Sequence, residues 1–308
     1  QKTAYEIYQC DWSSDVCSSD LHRKFHFHRI ISRTDVETLM YGSHFVLNVR
    51  VKARSGKGDL SLGGRSRPYI HAKYFMKLLL ISNSTNAGEP YLKYPMPRID
   101  EFLGSVREVV FVPYAGITFS YAEYEAKVQA RFAEYGIKVR SVHRSKDPRR
   151  MIREAQAICV GGGNTFALTK KMQEQGLLKA ILGKIKAGTP YIGWSAGSNV
   201  CCPTICTTND MPIVEPESFK AIGAVKFQIN PHYLDANPEG HAGETREQRI
   251  LEYITANPRR YVVGLREGCM LHYENGKLEL IGSRPMRIFK KGIAPYEVKA
   301  GDDLSFLL

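Results

Sequence analysis

Long apolar runs are missing from this sequence of 308 residues. No stretch approaches the roughly 20 consecutive apolar residues of a membrane-spanning helix, and no apolar core of a signal peptide lies near the start. Cysteines are few, and the cluster Cys201, Cys202 and Cys206 lacks the C-x-x-C or histidine spacing of a zinc site. We therefore expect reduced thiols, no metal, no membrane contact and a cytoplasmic location.

Acidic residues are fewer than basic ones, with 31 Asp and Glu against 43 Lys and Arg and a formal net charge of +12. The basic residues are scattered and alternate with acidic ones on the helical segments. Scattered positive charge gives no evidence for nucleic-acid binding, but an excess of positive charge favours the binding of acidic substrates.

A dinucleotide fingerprint is also absent, although a glycine run suggests one. Gly161-Gly162-Gly163 follows the buried-strand pattern 157–160 and opens a helix near Phe166. Backbone N–H groups at such a helix start bind anions, so a phosphate site is the first alternative. The G-x-G-x-x-G spacing fails because Phe166 occupies the last glycine position. We therefore expect no nucleotide cofactor.

What the chain does have is α/β alternation from Met76 onward. Strands are predicted at 77–82, 108–112, 137–142, 157–160, 190–194, 226–230 and 261–265, and helices near 120–135, 164–175, 177–187 and 244–256. After residue 268 the sequence consists of short runs in which apolar and polar residues alternate. Two of these runs flank Glu274-Asn275-Gly276, whose Asn-Gly pair is typical of a β-hairpin turn. The pattern predicts one α/β domain over 76–308, with a mostly parallel sheet and a C-terminal antiparallel extension.

Residues 1–75 differ from the rest of the chain. Residues 1–21 repeat Ser-Ser-Asp without periodic apolar support and resemble a translated sequencing adapter. The stretch 22–75 is basic and rich in histidine. We interpret 1–75 as a non-native or disordered leader and expect the biological start at Met76; a nucleic-acid-binding or targeting arm is the alternative.

The segment Gly193-Trp194-Ser195-Ala196-Gly197 is a G-x-S-x-G between a short strand pattern and a helix. This is the context of a nucleophile elbow, in which a sharp turn exposes the serine hydroxyl. The motif is common by chance, so a plain strand-to-helix turn is the alternative.

A base and an orienting acid are available downstream. His232 follows the strand 226–230, and Glu267 follows the strand 261–265. In a parallel sheet both would meet Ser195 at the carboxyl edge of the strands. Taken singly, His232 could be a turn residue and Glu267 a solvated carboxylate. The order serine, histidine, acid differs from the order in α/β-hydrolases.

These motifs together resemble peptidase E, the α-aspartyl dipeptidases, whose wider family of serine peptidases includes cyanophycinases. The matching segments are 76–84, 160–166, 191–197, 207–214, 228–232, 238–241 and 243–250. The resemblance implies a Ser195, His232, Glu267 triad on a flavodoxin-like, doubly wound sheet. That fold is related to class I glutamine amidotransferases, with serine replacing their cysteine.

The resemblance also implies the remaining site residues. The N–H groups of Gly163 and Ala196 would form the oxyanion hole, while Arg246, assisted by Asn164, would bind the side-chain carboxylate of the substrate. From the residues alone, Arg246 could instead pair with Glu247 or Glu252. Three candidates for binding the substrate α-amine stay open: Asp210, Glu215 and Glu239.

The function implied is a serine dipeptidase acting on Asp-Xaa dipeptides through an acyl-enzyme, without metal or organic cofactor, as a monomer or homodimer. The alternatives are a cyanophycinase-like peptidase and a non-catalytic small-molecule binding protein with the same fold.

Overall fold

A computed structural model of the chain describes residues 36–41, 44–49, 76–236, 240 and 242–308. The chain divides into two compact units, Gln1–Pro68 and Tyr69–Leu308. In the first unit, strands β1 (Val36–Tyr41) and β2 (His44–Val49) pair antiparallel. Most of the leader predicted at 1–75 lies outside the described residues, and that interpretation stays a prediction.

The second unit contains two sheets and a set of helices. Its strands are β3 (Leu78–Ile81), β4 (Glu108–Val112), β5 (Lys138–Ser141), β6 (Ile158–Val160), β7 (Tyr191–Trp194), β8 (Gln228–Asn230), β9 (Tyr261–Gly264), β10 (Met270–Glu274), β11 (Lys277–Ile281), β12 (Met286–Lys290) and β13 (Ile293–Val298). Its α-helices are α1 (Met96–Leu103), α2 (Tyr121–Ala133), α3 (Pro148–Glu154), α4 (Thr165–Glu174), α5 (Leu177–Lys186), α6 (Ala196–Asn199) and α7 (Arg246–Ala256).

The larger sheet has seven strands in the order β11-β10-β3-β7-β6-β4-β5. Five neighbouring strands run parallel to one another: β3, β7, β6, β4 and β5. Strand β10 pairs with β3 antiparallel, and β11 pairs with β10 as a hairpin. The turn residues Asn275 and Gly276 have φ values of 54° and 78°, as a tight hairpin requires. The parallel strands predicted at 77–82, 108–112, 137–142, 157–160 and 190–194 and the hairpin at 274–276 are therefore confirmed.

Both faces of this sheet are covered, because side chains of successive strand residues point to opposite faces. Leu79, Ile81 and Phe111 pack into one hydrophobic cluster with residues of α1 and α2. Leu78 and Leu80 belong to the other cluster, with residues of α3, α4, α5 and the second sheet. The central strands are consequently buried and read as continuous apolar runs in the sequence.

The prediction that His232 and Glu267 follow strands of the same sheet as Ser195 is wrong. Strands β8 and β9 are parallel to each other but lie in a separate four-stranded sheet of order β13-β12-β9-β8. The C-terminal extension is antiparallel as expected, yet it is divided between the sheets: β10 and β11 extend the larger one, and β12 and β13 extend the smaller one.

Two short helices were not predicted. Helix α1 has eight residues and α3 has seven, and both carry proline in the first turn. Proline is well tolerated there because the first N–H groups of a helix have no intrahelical partner.

None of the helices in the described part of the chain combines the length and apolarity needed to span a bilayer.

Candidate active site

Ser195 lies on a sharp turn between β7 and α6, with φ 55° and ψ −114°. Few residues other than glycine adopt such a positive φ, so surrounding contacts must hold this backbone in place. A side chain on Gly197 would place its Cβ 2.0 Å from the carbonyl oxygen of Val160, so only glycine fits there. The buried Ser198 hydroxyl contacts the carbonyl oxygens of Ile81 at 2.7 Å and Gly193 at 2.8 Å, which ties the turn to the strand ends.

His232 and Glu267 approach Ser195 from the ends of β8 and β9. The Nε2 atom of His232 lies 2.9 Å from Ser195 Oγ, and its Nδ1 lies 2.6 Å from Glu267 Oε1. A carboxylate can only accept hydrogen bonds, so Nδ1 carries the ring proton. Nε2 is then free to accept a hydrogen bond from the serine hydroxyl. The structure thus brings the three predicted residues into one hydrogen-bonded chain.

Ser82 supports this chain, and sequence reasoning assigned it no role. It is fully buried just past β3, where its Oγ accepts from the His232 N–H at 2.9 Å and donates to the Leu265 carbonyl at 2.7 Å. One hydroxyl therefore joins the larger sheet to the ends of both β8 and β9. The only sequence signal is its position directly after a buried strand.

Asn83 performs a similar role for the turn that carries Glu267. Its Oδ1 accepts from the Gly268 N–H at 2.9 Å and from the Tyr94 hydroxyl at 2.6 Å. The backbone next to Glu267 is thereby fixed to the end of β3.

The glycine run passes directly against Ser195. A Cβ on Gly162 would lie 2.9 Å from Ser195 Cβ, and a Cβ on Gly163 would lie 2.2 Å from the Ala115 carbonyl oxygen. Gly163 has φ +132° and makes no hydrogen bond within the described part of the chain. Ala196 is the first residue of α6, where N–H groups lack an intrahelical partner.

A cavity of about 280 Å³ opens beside Ser195. Its lining residues are Thr165, Ser195, Ala196, Thr208, Asn209, Asp210, Pro231, His232, Leu234, Arg246 and Glu267. This volume is at the small end for ligand sites.

Arg246 contributes a positively charged side chain to the lining of this cavity. It begins α7 and is half-buried, and its Nη1 atom is buried without a hydrogen-bond partner among the described residues. Burial lowers the pKa of Arg246, as does Arg249, while Glu267 and Asp210 oppose that shift. Pairing with Glu247 does not occur, because Glu247 binds Arg287 at 2.7 Å. A half-buried guanidinium with an unsatisfied donor is suited to an incoming carboxylate.

Asp210 is the candidate α-amine ligand that lies in the same cavity. Its Oδ2 accepts from the Thr165 N–H at 2.7 Å and from the Thr208 hydroxyl at 2.9 Å. Glu215 is exposed and does not line the cavity, and Glu239 lies outside the described residues.

Asn164 does not line the cavity. It caps α4, with Oδ1 accepting from the Ala167 N–H at 3.0 Å and Nδ2 donating to the Met211 carbonyl at 2.8 Å. Because both ends of the amide are engaged, Asn164 holds the glycine run and the 207–213 segment together. Its assistance in substrate binding stays a prediction.

Among the described residues, no group of three His, Cys, Asp or Glu side chains is arranged to hold a metal ion. The cysteines described are free thiols. Burial raises the pKa of the Cys202 thiol to about 12, so this thiol stays protonated and unreactive.

Comparison with known proteins places this chain in a family. Residues 78–281 match Peptidase family S51. Peptidase E of a Nostoc species is 49% identical over 233 residues, which is 75% of this chain and 96% of that protein. Peptidase E of Citrobacter koseri is 46% identical over 226 residues, covering 73% of this chain and 99% of that protein.

Solved structures show the same fold. A putative peptidase E from Listeria monocytogenes aligns with a TM-score of 0.53 and 23% identity, covering 68% of this chain and all of that chain (100%). A peptidase from an acI-B1 Actinobacterium aligns with a TM-score of 0.58 and 16% identity, covering 75% and 97%. Together with the family match, the identities of 46% to 49% show that this chain, a serine-type peptidase, belongs to peptidase family S51.

Proposed function

We propose that the protein hydrolyses dipeptides with an N-terminal aspartate through an acyl-enzyme on Ser195. The observation that carries the proposal concerns Arg246, which lines the same small cavity as Ser195 and whose buried Nη1 has no hydrogen-bond partner in the described part of the chain. A planar guanidinium binds a carboxylate with two parallel hydrogen bonds, which selects an acidic side chain of fixed length.

The chemistry assigned to the triad follows from its hydrogen bonds. Ser195 Oγ attacks the aspartyl carbonyl carbon while His232 Nε2 takes the hydroxyl proton. His232 then gives that proton to the leaving amine, and Glu267 holds the ring and stabilises the imidazolium. Water releases aspartate from Ser195 by the same route.

Gly163 and Ala196 are proposed as the donors to the tetrahedral oxyanion. Backbone N–H groups fixed in advance stabilise charge that appears only in the transition state, and each is worth about 3 to 4 kcal/mol of barrier. Support comes from the closeness of the glycine run to Ser195 and from the Gly163 N–H, which has no acceptor in the described part of the chain.

Asp210 is proposed to bind the α-amine of the substrate. Its carboxylate lies in the cavity, and one oxygen has no hydrogen bond among the described residues. An anion for the amine and a cation for the side chain would admit a free N-terminal aspartate and reject an internal one. The enzyme would therefore release N-terminal aspartate, as the hydrolysis of an Asp-Xaa dipeptide requires.

A panel of dipeptides tests this specificity. We expect rapid hydrolysis of Asp-Leu, and at least tenfold lower kcat/KM for Glu-Leu, Asn-Leu and N-acetyl-Asp-Leu. Equal rates on Asp-Leu and N-acetyl-Asp-Leu would contradict the assignment of Asp210. Equal rates on Asp-Leu and Asn-Leu would contradict the assignment of Arg246.

We also infer a flavodoxin-like, doubly wound arrangement for the larger sheet, supported by helices on both faces. A cytoplasmic location and a monomeric or homodimeric state stay predictions; the free thiols are consistent with the first.

A further inference from the structure

Tyr124 lies beneath the glycine run on the side away from solvent. It belongs to α2, is 4% exposed, and its hydroxyl donates to the Gly162 carbonyl at 2.8 Å. A Cβ on Gly161 would lie 2.6 Å from the same hydroxyl, so the loop rests directly on it.

The direction of this hydrogen bond is determined by its neighbours. Trp194 Nε1 lies 3.2 Å from the Tyr124 hydroxyl oxygen, and an indole N–H can only donate. The Tyr91 hydroxyl also donates to that oxygen, at 3.4 Å. The single proton of Tyr124 is therefore directed to Gly162. Burial raises the pKa of Tyr124, which keeps that proton in place.

The peptide bond between Gly162 and Gly163 links this hydrogen bond to the direction of the Gly163 N–H. No described peptide bond is cis, so the C=O of Gly162 and the N–H of Gly163 point in opposite directions across one plane. Binding the carbonyl to Tyr124 turns the Gly163 N–H away from α2. Without such a contact, a peptide between two glycines rotates easily, because both residues have wide backbone freedom.

We propose that Tyr124 is a positioning residue for the oxyanion hole: its hydroxyl, held by Trp194, fixes the peptide plane that presents the Gly163 N–H to the substrate. Trp194 directly precedes Ser195, so one hydrogen-bonded chain aligns the nucleophile and the oxyanion donor. The inference rests on the proposed role of Gly163.

The test compares Tyr124→Phe with Tyr114→Phe. Tyr114 is also buried, but its hydroxyl donates to Gln175, the residue that follows α4, at 2.6 Å. For each variant, the kcat and KM for Asp-Leu, the pH profile, the Tm and the rate of Ser195 phosphonylation by a small alkyl fluorophosphonate are measured. The phosphoryl oxygen of that reagent requires the oxyanion hole but not aspartate recognition.

We expect Tyr124→Phe to lower kcat and the phosphonylation rate by about ten- to one-hundredfold, less than outright loss of an oxyanion donor. KM and the pH midpoint of activity should stay those of the wild type, because substrate binding and the triad are untouched. Tyr114→Phe should keep both rates within about twofold. Rates are compared well below the lower Tm, so that a loss of stability is not counted as a loss of catalysis.

The inference is overturned if Tyr124→Phe keeps both rates within about twofold of Tyr114→Phe, or if only KM changes. Failure of the proposed function itself is recognised separately. In that case Ser195→Ala would retain hydrolysis, or the wild type would hydrolyse no aspartyl dipeptide while still reacting with the fluorophosphonate.

Discussion

Arg246 is the residue on which substrate choice is proposed to depend, and its environment in the free enzyme is unfavourable. A half-buried guanidinium with one donor unsatisfied costs free energy until a carboxylate arrives. If Arg246 binds the substrate as proposed, the free enzyme loses some stability in order to recognise a carboxylate, as functional sites commonly do.

Replacing Arg246 with methionine should separate recognition from chemistry. We predict that Arg246→Met lowers kcat/KM for Asp-Leu by about two to three decades, since losing a charge-assisted pair in a desolvated pocket costs on the order of 2 to 5 kcal/mol. The preference for Asp-Leu over Asn-Leu should disappear, and Arg246→Lys should restore part of the rate. Steady-state kinetics on both dipeptides provide the measurement.

Two controls accompany this variant. Phosphonylation of Ser195 should stay at the wild-type rate, and the Tm should not fall, because the removed guanidinium has an unsatisfied donor in the free enzyme. If Arg246→Met keeps full selectivity for Asp-Leu, another cation binds the carboxylate.

Among the structural elements, the ends of β3, β8 and β9 are joined through one hydroxyl. We predict that Ser82→Ala lowers the free energy of unfolding by about 1 to 3 kcal/mol, because the His232 N–H and the Leu265 carbonyl lose their partner. The kcat should fall as well, since His232 is displaced from Ser195. Urea unfolding and steady-state kinetics measure the two effects.

Ser141 offers a matched control for Ser82. It is also a buried serine, but it lies on the edge strand β5 and its hydroxyl contacts His143. Ser141→Ala should change stability without changing kcat. Equal kcat for Ser82→Ala and the wild type would show that the hydroxyl has no part in positioning His232.

Arg266, which directly precedes Glu267, connects the loop after β8 with strand β13. Its buried guanidinium binds Asp235 in the loop after β8 and Glu297 on β13. The hydrogen bonds from Arg266 hold the pKa values of both carboxyls below their usual range. A depressed pKa stabilises the fold above the unfolded-state values of about 4, and this contribution is lost as the pH falls through the folded-state values.

Stability should therefore decline on acidification, and it should decline less in Arg266→Met. We predict that the urea midpoint of the wild type falls between about pH 6 and about pH 3, with a smaller fall in the variant because both carboxyls return toward ordinary pKa values. Parallel curves for the two proteins would show that Arg266 does not determine these pKa values.

Much of this element structure was predictable from local pattern. The central strands β3, β4, β6 and β7 of the larger sheet are short, mainly apolar runs, and the turn at Ser195 carries its own glycines. Helices α1 and α3 are shorter than the window in which periodicity is visible, so they were missed. The roles of Ser82 and Tyr124 depend on contacts across 150 and 38 residues of sequence, for which no local pattern exists.

For the whole catalytic unit, the main feature that the sequence did not predict is the division into two sheets. Ser195 follows a strand of the seven-stranded sheet, whereas His232 and Glu267 follow strands of the four-stranded sheet. Local patterns identify strands and their ends, but they do not specify which sheet a three-residue strand joins. The hydrogen-bonded chain of Ser195, His232 and Glu267, proposed as the triad, thus lies where the two sheets meet.

The central claim is that these residues act as one catalytic unit on an aspartyl dipeptide. The measurement that tests it most directly is kcat for Asp-Leu in Ser195→Ala, His232→Ala and the double variant. Groups that act as a unit give strongly non-additive losses, so each single variant should lose nearly all turnover and the double variant should be little worse. Losses that multiply, or ordinary turnover in His232→Ala, would contradict the account.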